Sequence, residues 1–143
     1  MPSELPEPPR PPKKRLTDLE LEIMHVIWEA HPRASTVRDV VEGLERHGHS
    51  LAYTTVQTVM GILKKKQVLG SRPGPGRAHE YRALVTRDEA TSSMTADFVS
   101  RLFGGEAKPL VAHLLDHGSF DRDELVELKR RIETQLSDDE EDV

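Results

Sequence analysis

Apolar residues recur every three or four positions in three consecutive segments of residues 16–67, which is the periodicity of amphipathic α-helices. The first segment opens at Thr17, an N-cap residue followed three positions later by Glu20, as in a capping box. The second opens at Ser35 or Thr36, both good N-cap residues, and the third is TTVQTVMGILKKK. This pattern predicts three short helices that pack together through their apolar faces.

The pattern changes after Gln67. Val68 and Leu69 begin a short strand, a Pro-Gly-Pro-Gly run at residues 73–76 indicates a loop, and the alternating residues 79–84 predict a returning strand. Together with the three helices, this hairpin is typical of a winged helix-turn-helix.

Three further amphipathic segments occupy residues 86–136. Thr86 and Asp121 are good N-cap residues for the first and the last of them. A 51-residue segment with a wide apolar stripe on each helix is too small to bury that surface by itself, although the stripe of the last helix also fits a core within one chain. We therefore expect this segment to form a homodimer. The predicted contact residues are Met94, Phe98, Leu102, Phe103, Leu110, Leu114, Leu125, Leu128 and Ile132.

These patterns divide the chain into four parts. Residues 1–15 are rich in proline and are expected to form a flexible leader, and residues 16–85 a winged-helix domain. Residues 86–136 are expected to form a helical dimerisation domain, and residues 137–143 an acidic disordered tail. The predicted fold class is mostly α with a small β-wing.

Composition excludes several classes of protein. The chain has no cysteine, which rules out disulfides, thiolate metal sites and a cysteine nucleophile. It has no apolar run of about 18 residues and no charged-then-apolar leader, so we expect no membrane insertion and a cytoplasmic location. It also lacks a phosphate-binding glycine loop and the common hydrolase motifs, so we expect neither catalytic residues nor a cofactor.

Two histidines, His113 and His117, are four positions apart in the fifth predicted helix, with Asp116 beside them. This spacing can hold zinc. Solvent-exposed histidines are the commoner explanation, because no HExxH motif and no third ligand at a fixed spacing accompanies them. We therefore expect no metal site.

The formal net charge of −5 by itself disfavours binding to nucleic acid. The charges are unevenly placed, however, because residues 50–82 hold six basic side chains and a single acidic one, Glu80. Positive charge at this place suits contacts with phosphates. The predicted phosphate-binding residues are Lys64, Lys65, Lys66, Arg72, Arg77 and Arg82.

The third helix has two chemically different faces. An apolar stripe is formed by Val56, Val59, Met60 and Leu63, and hydroxyl and amide side chains cover the rest of its first turns. Such groups can hydrogen-bond base edges in a major groove, and a threonine methyl can touch the methyl of thymine. The predicted base-reading residues are Thr54, Thr55, Gln57 and Thr58.

Five stretches of the chain together resemble the BlaI/MecI family of penicillinase repressors, whose wider membership includes the copper-responsive CopY repressors. In order, they are LTDLELEIMHVIW, TVRDVV, LAYTTVQTVMGILKKKQVL, HEYRAL and FVSRLFGG. The resemblance implies an N-terminal winged helix, a helical dimerisation domain and a homodimer that represses transcription from an inverted-repeat operator in double-stranded DNA. It places the family's base contacts at the four residues just named. Thr54 and Gln57 stand where staphylococcal members have Lys and Arg, so the operator sequence does not carry over.

The resemblance also implies a mode of regulation. The best-known members are inactivated through a membrane sensor protease pathway that leads to cleavage of an Asn-Phe bond in the dimerisation domain. Spacing places the equivalent bond at Asp97-Phe98, with Asp in place of Asn. Copper-responsive members bind Cu(I) through C-terminal cysteines, which this chain lacks.

The leading hypothesis is therefore a homodimeric repressor that binds operator DNA and is not an enzyme. The alternative is a winged-helix module that binds protein and has no sequence-specific affinity for DNA. Direct measurement of DNA binding separates the two.

Overall fold

The computed structural model describes residues 15–141 of the chain. Within them, the order of helices and of one antiparallel hairpin confirms a mostly α fold with a small β-wing. The chain divides after Phe98 into two compact units, the first unit up to that residue and the second unit beyond it. The elements are α1 (Asp18–Ala30), α2 (Val37–Arg46), α3 (Tyr53–Lys65), β1 (Leu69–Pro73), β2 (His79–Ala83), α4 (Arg87–Phe103), α5 (Ala107–His117) and α6 (Arg122–Glu141).

The described part of the chain ends within the expected acidic tail. Residues 1–14 of the expected leader and residues 142–143 of the expected tail lie outside the described residues. Helix α6 continues to Glu141, so residues 137–141 are helical, whereas the sequence placed them in a disordered tail. They follow a helix that is already formed, and extending a helix costs much less free energy than starting one.

Capping boxes open the first two helices. The backbone N–H of Thr17 donates to Glu20 Oε1 at 3.0 Å, and Thr17 Oγ1 accepts from the N–H of Glu20 at 3.2 Å. At α2 the cap is Thr36, whose Oγ1 accepts from the N–H of Asp39 at 3.1 Å. Ser35, the other candidate for this cap, pairs its backbone with Tyr81 instead, and this pairing attaches the residue before the cap to strand β2.

The core of the first unit lies between the apolar faces of α1, α2 and α3 and the start of β1. Its largest fully buried side chains lie on the inner faces of these helices and at the start of the hairpin, because residues three and four positions apart share one face of a helix. They are Ile23, Met24, Ile27, Val40, Leu44, Val56, Met60, Leu63, Val68 and Leu69.

Helix α3 ends in a Schellman motif that turns the chain into the hairpin. The N–H of Val68 donates to the carbonyl of Leu63 at 3.0 Å, and the N–H of Gln67 donates to that of Lys64, also at 3.0 Å. Gln67 occupies the left-handed region with φ 64°, where glycine is usual. The following strands pair antiparallel from Leu69 opposite Ala83 to Pro73 opposite His79.

The last two helices contribute little to any core within the chain. Helix α5 has no buried residue, and most apolar side chains of α5 and α6 are at least two-fifths exposed, including Leu114 at 47% and Ile132 at 53%. Among the described residues, no helix is both long and apolar enough to cross a membrane.

We expect Gly43→Ala to lower the free energy of unfolding by about 1–3 kcal/mol, measured by urea denaturation. A Cβ at Gly43 would overlap Cγ1 of Val26, which is buried and β-branched and so cannot rotate away without strain. The matched control is Gly61→Ala in α3, where a Cβ would meet nothing within 4 Å. That exchange should raise stability by about 0.5–1 kcal/mol, because alanine favours helix over glycine. Equal effects of the two substitutions would contradict the close approach of α1 and α2.

Candidate nucleic-acid interface

Helix α3 is held by its inner face, which leaves its outer face free to meet a ligand. Val56, Met60 and Leu63 are fully buried against the rest of the first unit. On the other side of the helix, the structure exposes every residue that the sequence predicts to read bases. These are Thr54, Thr55, Gln57 and Thr58. They therefore form one polar surface on a helix whose orientation is set by the core.

Four of the predicted phosphate-binding residues are exposed, and none of them forms an ion pair with another described residue: Lys64, Lys65, Arg77 and Arg82. Arg72 is also exposed, but its Nε lies 3.5 Å from Glu80 Oε2 across the hairpin. Because the side chain of Arg72 is 61% exposed, this pair holds the arginine only weakly. The end of α3 and the hairpin thus each present unpaired positive charge.

Lys66 departs from the expected phosphate-binding set. Its Nζ lies 2.7 Å from Glu20 Oε1 and donates to the backbone carbonyl of Arg15 at 3.3 Å. The ammonium is therefore directed to the start of α1, and the reason is that a carboxylate buried there needs a cation. Three consecutive lysines in the sequence give no sign of this difference, since the partner is 46 positions away.

Glu20 is the buried acid of the first unit, with 3% of its surface exposed. Burial raises the pKa of its carboxyl, but hydrogen bonds from Lys66 and Thr17 outweigh burial, so that its pKa lies below the ordinary value of 4.5. Its other oxygen, Oε2, has no hydrogen-bond partner among the described residues. The charge of Glu20 consequently depends on Lys66.

The start of α3 adds a feature that the sequence analysis missed. Its N-cap is Ala52, and no side chain caps the helix there. The first-turn N–H groups of a helix without a side-chain cap are available to an anion such as a phosphate. The signal in the sequence was the absence of Ser, Thr, Asp or Asn at the residue before Tyr53.

The predicted dimer residues fall into two groups. The exposed ones are Phe98, Leu102, Leu114, Leu125 and Ile132, and the partly buried ones are Met94, Phe103, Leu110 and Leu128. Met94 packs against the core of the first unit. Phe98 and Asp97 lie within α4, where the predicted cleavage bond is therefore helical, and Asp97 Oδ2 is 3.8 Å from Arg15 Nε.

The two histidines of α5 lie side by side, with the ring centroids of His113 and His117 4.6 Å apart. The ring of Phe103 is 6.3 Å from that of His113. In the part of the chain that the structure describes, no group of three or more potential metal ligands comes together. The pair thus has an aromatic neighbour and no third ligand there.

Comparison with known proteins identifies relatives. The model of the family described as penicillinase repressor matches residues 16–134. The transcriptional regulator BlaI of Mycobacterium tuberculosis is 40% identical over 88 residues, which is 61% of this chain and 61% of that protein. The chain thus spans about three-fifths of the length of this relative. The penicillinase repressor of Staphylococcus aureus is 21% identical over 110 residues, covering 77% of this chain and 84% of that one.

Solved structures give two further likenesses. One is the solution structure of monomeric BlaI of Bacillus licheniformis in complex with the blaP half-operator, with 28% identity, a TM-score of 0.43 and coverage of 52% of this chain and 87% of that one. The other is RosR of H. salinarum, with 19% identity, a TM-score of 0.46 and coverage of 90% and 96%.

We expect Lys66→Met to lower the free energy of unfolding by about 2–4 kcal/mol at neutral pH, because it leaves the buried carboxylate of Glu20 without its cation. The matched control is Lys65→Met, which removes an exposed lysine and should change stability by less than about 0.5 kcal/mol. Urea denaturation of both variants measures the difference.

The deficit of Lys66→Met should depend on pH. In the original chain the pKa of Glu20 is lowered, so its contribution to stability is present above the ordinary value of 4.5 and is lost as pH falls through the folded-state pKa. In the variant Lys66 no longer lowers that pKa, so Glu20 is protonated at a higher pH than in the original chain and loses its unpaired charge as pH falls. The deficit should therefore narrow as pH falls from neutral towards 4.5. A deficit independent of pH would show that Glu20 is not the group left unpaired.

Proposed function

The chain belongs to the penicillinase repressor family, and we propose that it is a transcriptional repressor that binds operator DNA as a homodimer. The observation that carries this proposal is the outer face of α3, where four exposed polar side chains stand on a helix that is oriented by its buried face. The mycobacterial and staphylococcal relatives, a transcriptional regulator and a penicillinase repressor by name, support a regulator over an enzyme.

The proposed base contacts lie on the first two turns of α3. The side-chain NH2 group of Gln57 can donate to N7 of adenine while its carbonyl oxygen accepts from the N6 amino group. Threonine methyls can touch the methyl of thymine. A half-site that contains A·T pairs is the corresponding proposal. Each good bidentate contact is worth about 1–3 kcal/mol of discrimination against a wrong base.

The proposed phosphate contacts come from two places. Lys64 and Lys65 lie in the last turn of α3, and Arg77 and Arg82 lie in the hairpin. In addition, the uncapped start of α3 offers backbone N–H groups to a phosphate. These contacts position the protein on the duplex and make its affinity depend on salt, whereas the base contacts give sequence preference.

The proposed dimer uses apolar side chains of α4, α5 and α6. A single chain leaves Leu102 at 65% exposure and Leu114 and Leu115 each at 47%. Burial of such side chains in a symmetric partner recovers about 25 cal/mol for each Å² of apolar surface. A two-fold dimer would set two reading helices about 34 Å apart, one turn of DNA, to match an inverted repeat.

Relief of repression by proteolysis at Asp97-Phe98 stays a prediction from the family resemblance. The bond lies inside α4, and a protease needs an extended backbone, so this stretch of helix would have to unwind first. A cut there would separate most of the proposed dimer surface from the reading helix. This part of the proposal includes a membrane sensor protease pathway acting on the repressor.

Binding-site selection on random duplex DNA tests the proposal. We expect recovery of an inverted repeat with half-sites about 34 Å apart. Gln57→Ala should relax the preference at one base position of each half-site and leave the salt dependence unchanged. Weak binding without sequence preference in the original chain would favour the alternative, a winged-helix module that binds protein.

Lys65→Gln separates phosphate contacts from base contacts. It should lower the affinity for all DNA sequences alike. It should also reduce the slope of log affinity against log salt by about 0.9, the value for one phosphate contact in B-DNA. The matched control is Lys108→Gln, an exposed lysine of α5, which should leave the slope unchanged. A smaller slope for both variants would indicate a general effect of net charge rather than a contact by Lys65.

Leu114→Asp tests the dimer. A carboxylate at this exposed apolar position should shift the chain to monomer in sedimentation velocity while the thermal unfolding of the first unit stays unchanged. Ala112→Asp is the matched control, because Ala112 is exposed on the other face of the same helix. If both variants sediment like the original chain, the apolar face of α5 is not the dimer interface.

A further inference from the structure

A groove opens in the first unit between the last turn of α1, the end of β2 and the start of α4. Its volume is about 480 Å³, within the range of small-molecule sites. Trp28 and His31 line one side of it, and Leu84, Thr86 and Arg87 line the other. The groove lies apart from the polar face of α3, so the proposed DNA contacts do not account for it.

The walls of the groove offer apolar surface. The indole Nε1 of Trp28 donates to the backbone carbonyl of Val85 at 2.9 Å, so the hydrogen-bonding capacity of the ring is already used. The ring of His25 meets that of Trp28 edge-on with centroids 5.6 Å apart, and Trp28 also lines the groove. Leu84 is 55% exposed even though its neighbour Val85 is buried at 2%. An apolar ring placed here would shield the side chains of Trp28 and Leu84 from water.

Two charged side chains line the groove, Arg87 and Glu29, and they differ in whether they have a charged or ionisable partner. The guanidinium carbon of Arg87 lies 5.7 Å from the centre of the Trp28 ring, and Arg87 forms no ion pair with another described residue. Glu29, which also lines the groove, has His47 Nε2 3.0 Å from its Oε2. The groove thus combines an apolar wall, a cation that has no ion pair among the described residues and one carboxylate that would repel a second negative charge.

We propose that this groove binds a small aromatic monocarboxylate. The ring lies against Trp28 and Leu84, and the carboxylate accepts hydrogen bonds from the guanidinium of Arg87, which can bind it with two parallel N–H groups. The carboxylate of Glu29 disfavours dicarboxylates. This inference concerns a different surface from the proposed DNA contacts and stands whether or not the chain binds DNA.

The test is an NMR titration of the full chain with 1-naphthoate. Trp28 is the single tryptophan of the sequence, so its indole N–H gives one signal that reports on this groove alone. We expect a saturable shift of that signal with a Kd of about 1 mM or tighter, as for a ligand of this size. The absence of a saturable shift would overturn the proposal.

Three comparisons locate the carboxylate. Arg87→Gln should lower the affinity for 1-naphthoate about tenfold, which is the loss expected for a charge-assisted hydrogen bond. Arg38→Gln, which removes an exposed arginine of α2 outside the groove, should leave the affinity unchanged. The neutral analogue 1-naphthalenemethanol should bind the original chain about tenfold more weakly than 1-naphthoate and should not respond to Arg87→Gln.

Leu84→Ser provides a second variant at the apolar wall. It should lower the affinities for 1-naphthoate and for the neutral analogue by similar factors, because it removes apolar contact from both ligands. Equal affinity of 1-naphthoate and the neutral analogue for the original chain would overturn the role of Arg87. An unchanged affinity of both ligands for Leu84→Ser would overturn the assignment to this groove.

Discussion

Glu20 imposes a constraint on which much of the first unit depends. A carboxylate with 3% exposure must be paired, and its partners are far apart in the sequence, the cap residue Thr17 and the lysine that follows α3. One side chain therefore closes the first turn of α1 and holds the last turn of α3. The hydrophobic core orients the middle of α3, whereas this ion pair positions its end, next to the exposed Lys64 and Lys65.

Three adjacent lysines consequently have different surroundings. Lys64 and Lys65 belong to the last turn of α3 and point to solvent, while Lys66 is its C-cap and turns to α1. The helix geometry rotates each successive side chain by about 100°, so neighbours in sequence need not share a surface. Gln67 then adopts a positive φ and directs the chain into the hairpin, which bears the remaining arginines.

Much of the fold follows from local signals in the sequence, because apolar periodicity and capping residues act within a few positions. The boxes at Thr17 and Thr36 are examples of such signals, and the outer face of α3 follows from its inner stripe. Periodicity and capping residues do not predict contacts between distant parts of the sequence. The pair of Glu20 with Lys66, the attachment of Ser35 to β2 and the groove beside Trp28 all join segments that only the folded chain brings together. The roles of the exposed residues in binding DNA remain predictions.

The distribution of burial explains why dimerisation and DNA binding would be linked. The first unit carries a fully buried core of its own, while α5 has no buried residue and α6 exposes Ile132 and Leu136 by more than half. An interaction that occurs only in the folded dimer stabilises the second unit in proportion to the logarithm of chain concentration. Two copies of α3 linked in a dimer would also raise each other's effective concentration at an inverted repeat. Exposed leucines of the second unit would thereby affect the affinity of α3 for DNA.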